Sequence, residues 1–186
     1  MIIGVVGLTL VSGPVYEEGS GFGLFLVLTG YFLLAISAFG RAWASVFIAG
    51  KKNQQLITDG PYSMVRNPLY FFSFLGFVGA GLAFQSILVA AAFGAIFFLT
   101  HWTTILKEEN NLSGYFPEDF AEYKASVPRF LPAPWKLEYP EEVTLSPRMY
   151  TKAMLESALV LLVFPLAMIV DWAHASALLP VVLKLF

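Results

Sequence analysis

Cysteine is absent from all 186 residues. That excludes disulfides, thiolate metal sites and cysteine nucleophiles. Charge is scarce as well: Asp, Glu, Lys and Arg together make up 13% of the chain, against about 25% in soluble domains. The formal net charge is -2, and no basic stripe is present, which argues against a nucleic-acid partner. Histidine occurs twice. His101 has no second His or Cys at ligand spacing, so no metal site is expected and His101 reads as a packing residue. There is no GxGxxG, no phosphate loop and no Ser-His-Asp set. Gly21-Phe22-Gly23 is too short to count.

What the chain has instead is apolar surface. Hydrophobic residues make up 58%, phenylalanine alone contributes 18, and mean hydropathy is +0.71. These values describe an integral membrane protein, all-α, expected as one polytopic helical bundle of about five spans over residues 1–186. Met1–Gly13 is apolar but short. With no Lys or Arg before it and only a weak cleavage site at Ser12-Gly13, it reads as a short first helix rather than a signal peptide. Phe22–Gly40 is a clear span, followed by Arg41–Ala49 with Trp43 as an interfacial anchor. Leu69–Phe84 and Ile87–Leu106 form a tight helical hairpin, with only Gln85-Ser86 to turn it. Gly76, Gly79 and Gly81 on the first arm allow close helix approach. Met149–Val170 is a further span with a kink expected at Pro165. The tail Ala173–Phe186 is a short apolar segment. Residues 149–186 thus form an additional C-terminal membrane segment.

Two polar regions interrupt this pattern. Asn53–Tyr70 holds a Gly60-Pro61 turn, Arg66 and an Asn67-Pro68 pair. Lys107–Arg148 opens with Glu108-Glu109. It continues with Phe116, Phe120, Tyr123 and Val127 at helical spacing, so a short amphipathic helix is expected, with Pro117 as its first residue. Pro128, Pro132, Pro134 and Pro140 then prevent regular structure. Trp135 and Tyr139 suit the headgroup layer. Ten of the 11 Lys and Arg residues lie between Arg41 and Lys152. By the positive-inside bias both polar regions face the cytoplasm, in a bacterial inner membrane or an endoplasmic reticulum.

Asn67 and Pro68 suit an N-cap and first helical residue, and that role alone explains both. Arg66 just outside a helix start opposes the dipole and calls for an anionic partner, for which a lipid phosphate would suffice. Glu108 and Glu109 at a helix end face the negative pole. They read either as a solvated helix end or as a pair holding a cation, such as an ammonium or sulfonium ligand. Glu156 in the last span reads as an interfacial ion pair with Lys152.

The stretches Leu56-Ile57-Thr58-Asp59-Gly60-Pro61-Tyr62 and Val65-Arg66-Asn67-Pro68-Leu69-Tyr70 resemble the signature of the isoprenylcysteine carboxyl methyltransferase family. Glu108-Glu109 with Leu112, Phe116, Tyr123 and Val127-Pro128-Arg129-Phe130-Leu131-Pro132 resemble that family's C-terminal pattern. The resemblance covers residues 40–132, a methyltransferase-like core. It implies a membrane methyltransferase that uses S-adenosyl-L-methionine, in a cytoplasmic cofactor pocket, on a lipophilic small-molecule or lipid substrate among the membrane lipids. It further implies that Leu56, Ile57, Gly60, Tyr62, Arg66, Asn67, Pro68, Tyr70, Glu108 and Glu109 bind the cofactor. Glu109 and Arg129 would serve catalysis, Glu109 as proton acceptor if the substrate is an amine. Many members carry His where this chain has Asn67, which cannot titrate near neutral pH. Phospholipid N-methyltransferases also carry Asn-Pro here and supply an alternative acceptor class. A sterol-reductase-like enzyme and a non-catalytic lipid-binding protein are the other readings.

Overall fold

The computed structural model describes Ser12, Gly13, residues 20–51, residues 54–179, Leu183 and Lys184. Seven α-helices carry the described chain: α1 (Gly21–Ile48), α2 (Pro61–Met64), α3 (Pro68–Ala83), α4 (Ile87–Tyr115), α5 (Pro117–Ser126), α6 (Pro147–Ala158) and α7 (Val163–Ala175). A 3-10 turn at Leu159–Leu162 joins α6 to α7. Proline opens four of the seven, at 61, 68, 117 and 147, where its missing N–H leaves no helical bond unmade. Among the described residues, strand structure is confined to a two-residue parallel pairing of Ser12–Gly13 with Leu183–Lys184 and one bridge between Gly60 and Glu138.

Among the described residues, three helical stretches are long and apolar enough to cross a membrane: Gly21–Ile48, Ile87–Tyr115 and Pro147–Ala175. This corrects the expected count of about five. The first arm of the hairpin, α3, has 16 residues, about 24 Å at 1.5 Å per residue and short of a roughly 30 Å core. Helix α7 ends at Ala175, and of the tail expected over Ala173–Phe186 the described residues 176–179 form a turn rather than a helix. The short first helix expected over Met1–Gly13 lies outside the described residues, apart from Ser12 and Gly13. The all-helical architecture and the three long apolar helices fit an integral membrane protein.

The chain divides into two compact units. The first comprises residues 1–37, 74–99 and 159–186. Its cores are Val89, Phe93 and Ile96 with Phe77 and Ala80, and Leu34, Ala83 and Ala167 with Tyr31, Val160 and Val163. The expected close helix approach is present. A Cβ on Gly79 would stand 2.8 Å from the Gly30 carbonyl oxygen, and one on Gly81 would strike the Ala90 backbone. The hairpin turns through Gln85, whose φ is 57°, and the Ser86 hydroxyl caps α4 by accepting the Val89 N–H at 3.0 Å. Irregularity in the last span falls at Leu159–Leu162, one turn before Pro165. That is where the proline ring crowds the carbonyl four residues back and leaves it without its N–H partner.

The second unit comprises residues 38–73 and 100–158. One core joins Ala44, Phe47 and Tyr62 with Ile57, Leu69 and Val143. Another joins Phe120, Tyr123 and Val127 of the amphipathic stripe with Leu56, Leu112 and Phe116. Helix α5 starts at Pro117, as the sequence predicts. The proline-rich strap after it is sewn to the loop before α3. Arg66 N–H donates to the Pro128 carbonyl (2.9 Å), Ala133 N–H to Met64 (2.9 Å) and Gly60 N–H to Glu138 (2.7 Å). Glu138 N–H donates to the Ser63 hydroxyl at 2.9 Å. Gly60 has φ 59°, and a side chain there would run into the Phe47 ring, so only glycine fits.

Candidate functional site

Within the second unit, three side chains from two places in the sequence converge on one carboxylate. Glu109 is 6% exposed. Arg66 donates to it through Nε (3.1 Å) and Nη2 (3.4 Å). Asn67 Nδ2 donates at 2.9 Å and Arg129 Nε at 3.0 Å. Arg66 also donates through Nη1 to the carbonyls of Lys124 (2.8 Å) and Val127 (3.2 Å). It thereby places its charge at the negative end of α5. The anionic partner that Arg66 called for is therefore Glu109. Asn67 does occupy the start of α3, its carbonyl accepting the Phe71 N–H at 3.0 Å. Its side chain, however, is spent on Glu109 and on the Arg129 carbonyl (3.1 Å).

Glu108 and Glu109 do not lie at a helix end. Helix α4 runs on to Tyr115, because Leu112 packs on the Phe120–Tyr123–Val127 core and Phe116 N–H closes on Leu112 (2.8 Å). The dipole cost is correspondingly smaller, since that effect fades within the last turn. The two carboxylates part company. Glu109 points into the arginine cluster. Glu108 interacts with Tyr70 and lines a cleft of about 160 Å³ with Leu56, Ile57, Tyr62, Arg66 and Asn111.

Of the residues singled out in the sequence, Leu56, Ile57, Tyr62, Arg66 and Glu108 share this cleft. Gly60, Asn67, Pro68, Tyr70, Glu109 and Arg129 do not line it. Gly60 and Pro68 shape the turn and the start of α3, Tyr70 rests edge-on to His101, and Arg129 lies over the Trp102 ring at 5.7 Å. A larger cleft of about 580 Å³ shares Leu56 and Tyr123 with the first and is lined by Asp59, Asp119, Glu122, Lys136 and Glu138. Asn111 and Trp102 were missed in the sequence. Both were within reach of helical spacing, Asn111 three residues after Glu108 and Trp102 seven before Glu109.

Burial pushes the Tyr62 hydroxyl far above the ordinary phenol range, with Tyr123 and Glu108 adding to it. Burial does the same to Tyr123, Arg66 opposing and Glu109 reinforcing. Both are neutral donors at physiological pH. Tyr123 donates to the Tyr62 carbonyl at 2.7 Å. The Tyr62 hydroxyl is buried with no partner among the described residues.

A phospholipid methyltransferase family profile matches residues 20–119. The nickel-cobalt-cadmium resistance protein NccN of Alcaligenes xylosoxydans xylosoxydans is 35% identical over 132 residues, 71% of this chain and 62% of that protein. The cobalt-zinc-cadmium resistance protein CzcN of Cupriavidus metallidurans is 34% identical over 132 residues, 71% of this chain and 61% of that protein. Protein-S-isoprenylcysteine O-methyltransferase B of Arabidopsis thaliana is 28% identical over 116 residues, 61% of this chain and 59% of that protein. The chain thus spans about three-fifths of the length of these relatives. No solved structure gives a significant match. The matched stretch contains the loop, the hairpin and the glutamate pair on which the cluster is built, and it extends over more than half the sequence, so the chain belongs to the phospholipid methyltransferase family.

Proposed function

We propose that this protein transfers a methyl group from S-adenosyl-L-methionine to a lipophilic acceptor at the cytoplasmic membrane face. The observation that carries the reading is the cleft at Glu108, which holds a carboxylate, a neutral buried tyrosine and apolar Leu56, Ile57 and Leu112 side by side. The donor set fits such a cofactor. Glu108 would meet its ammonium group, Tyr62 has an unused hydroxyl and the leucines suit its apolar parts. At about 160 Å³ the cleft is smaller than the roughly 300–1,000 Å³ of ligand pockets, so admission requires Leu56 and Tyr123, which it shares with the larger cleft, to part. When bound, the cofactor supplies an activated methyl group. The chain's own residues orient and shield. Glu109, holding Arg66, Asn67 and Arg129 together, positions the strap over α3. Four hydrogen bonds occupy its oxygens, so Glu108 is the better placed of the pair to take a proton from an amine acceptor.

Family membership favours a phospholipid acceptor over an isoprenylcysteine one. Nothing among the described residues supports carrying over metal resistance, since no three His, Asp or Glu residues converge as a metal site. Calorimetric titration of the detergent-solubilised protein with S-adenosylhomocysteine tests the reading. Binding is expected, with a loss of at least about tenfold in Glu108→Gln, the scale of a hydrogen bond to a charged group. Absence of binding in the wild type overturns it. Transfer of labelled methyl into a lipid extract then identifies the acceptor.

A further inference from the structure

Glu108 and Glu109 are neighbours on α4, so about 100° of helical turn separates them, and each meets its own donors. Glu109 is held by Arg66, Asn67 and Arg129. Glu108 accepts a hydrogen bond from the Tyr70 hydroxyl. The donors differ in kind. An arginine orients a carboxylate and cancels its charge. A phenol ordinarily titrates near about pH 10, so at physiological pH it is neutral and orients the carboxylate without cancelling it. An ionised carboxylate has about four lone-pair sites on its two oxygens. One bond from Tyr70 therefore leaves acceptors on Glu108 for a ligand.

Tyr70 is itself fixed. It belongs to the first turn of α3, which Pro68 opens. Its ring meets the His101 ring edge-on, with centroids 6.0 Å apart and planes at 65°. His101 and Glu108 are seven residues apart on α4, which puts them two turns apart on one helix face. The tyrosine bridges that interval, with its ring on His101 and its hydroxyl on Glu108. Of Tyr70 and Glu108, only Glu108 lines the cleft, so Tyr70 reaches a ligand there through the carboxylate. We propose that Tyr70 is a positioning residue, whose hydroxyl aims Glu108 at the ammonium of an amino-acid-bearing nucleoside and so selects ligands that carry this group. The assignment rests on the methyl-transfer reading.

Two ligands and a double-mutant cycle test it, by calorimetric titration of the detergent-solubilised full chain. S-adenosylhomocysteine carries the amino-acid part. 5′-Methylthioadenosine keeps the nucleoside thioether and lacks that part. Tyr70→Phe retains the ring against His101 and removes only the hydroxyl. It should weaken S-adenosylhomocysteine by about tenfold, as for loss of a hydrogen bond to a charged group, and leave 5′-methylthioadenosine unchanged. In the double variant Tyr70→Phe with Glu108→Gln, the loss should be no greater than in Glu108→Gln alone, because one residue acts through the other. Unchanged S-adenosylhomocysteine binding in Tyr70→Phe overturns the inference. So does an equal loss for both ligands, the mark of a merely structural role, and so do losses that add in the double variant. Each of these outcomes leaves the methyl-transfer reading standing. Failure of the wild type to bind S-adenosylhomocysteine removes that reading, and the positioning role with it.

Discussion

Glu109 accepts from three side chains, two of them cationic, while 6% exposed. Removing one partner from such a set leaves the others buried and uncompensated. Glu109→Ala is therefore expected to destabilise the second unit by about 3–5 kcal/mol, measured as a shift in denaturant midpoint in detergent. Glu109→Gln retains shape and an acceptor, and should fall short of that loss. The residue scale also shows which readings could be made in advance. Arg66 needed an anion because it opposes a helix start, and that reasoning is local. That the anion would be Glu109 rather than a lipid phosphate depends on a pairing across a sequence separation of 43, and no local rule reaches so far.

Helix α5 is held against α2 by the Tyr123 hydroxyl on the Tyr62 carbonyl, and both phenols are raised well above their usual range by burial. The sign of the pH effect follows. Below about pH 10 both states carry neutral tyrosines. Above it the unfolded chain gives up protons that the folded one keeps, so stability falls as pH rises. The unfolding midpoint should drop between pH 10 and 11, and less steeply in Tyr62→Phe, where one of the two groups is removed. Constant stability across that range would contradict the buried placement. At this scale the amphipathic stripe of α5, its proline start and the glycine contacts of α3 were legible, because period and backbone sterics act within a few residues. The end of α4 was not. Its continuation to Tyr115 depends on Leu112 finding a partner in α5.

For the molecule as a whole, composition alone announced a membrane protein, but the number of membrane-length helices was overcounted. Hydropathy registers an apolar run whether or not the helix is long enough, and α3 shows the difference. The absence of cysteine makes sidedness directly testable. Single replacements Asp59→Cys and Glu122→Cys, both lining the larger cleft, should react with a membrane-impermeant maleimide from the same side, the cytoplasmic one by charge bias. Labelling from opposite sides would rule out a shared cleft.

The stitching of the strap to the loop before α3 also imposes an order in time. Gly60 N–H bonds to Glu138, and a chain made at about 5–20 residues per second needs roughly 4–16 s to travel from one to the other. For most of that interval Arg66 has been made while Pro128 and Arg129 have not. The loop must wait, unpinned and charged, until the last stitch of the strap is synthesised.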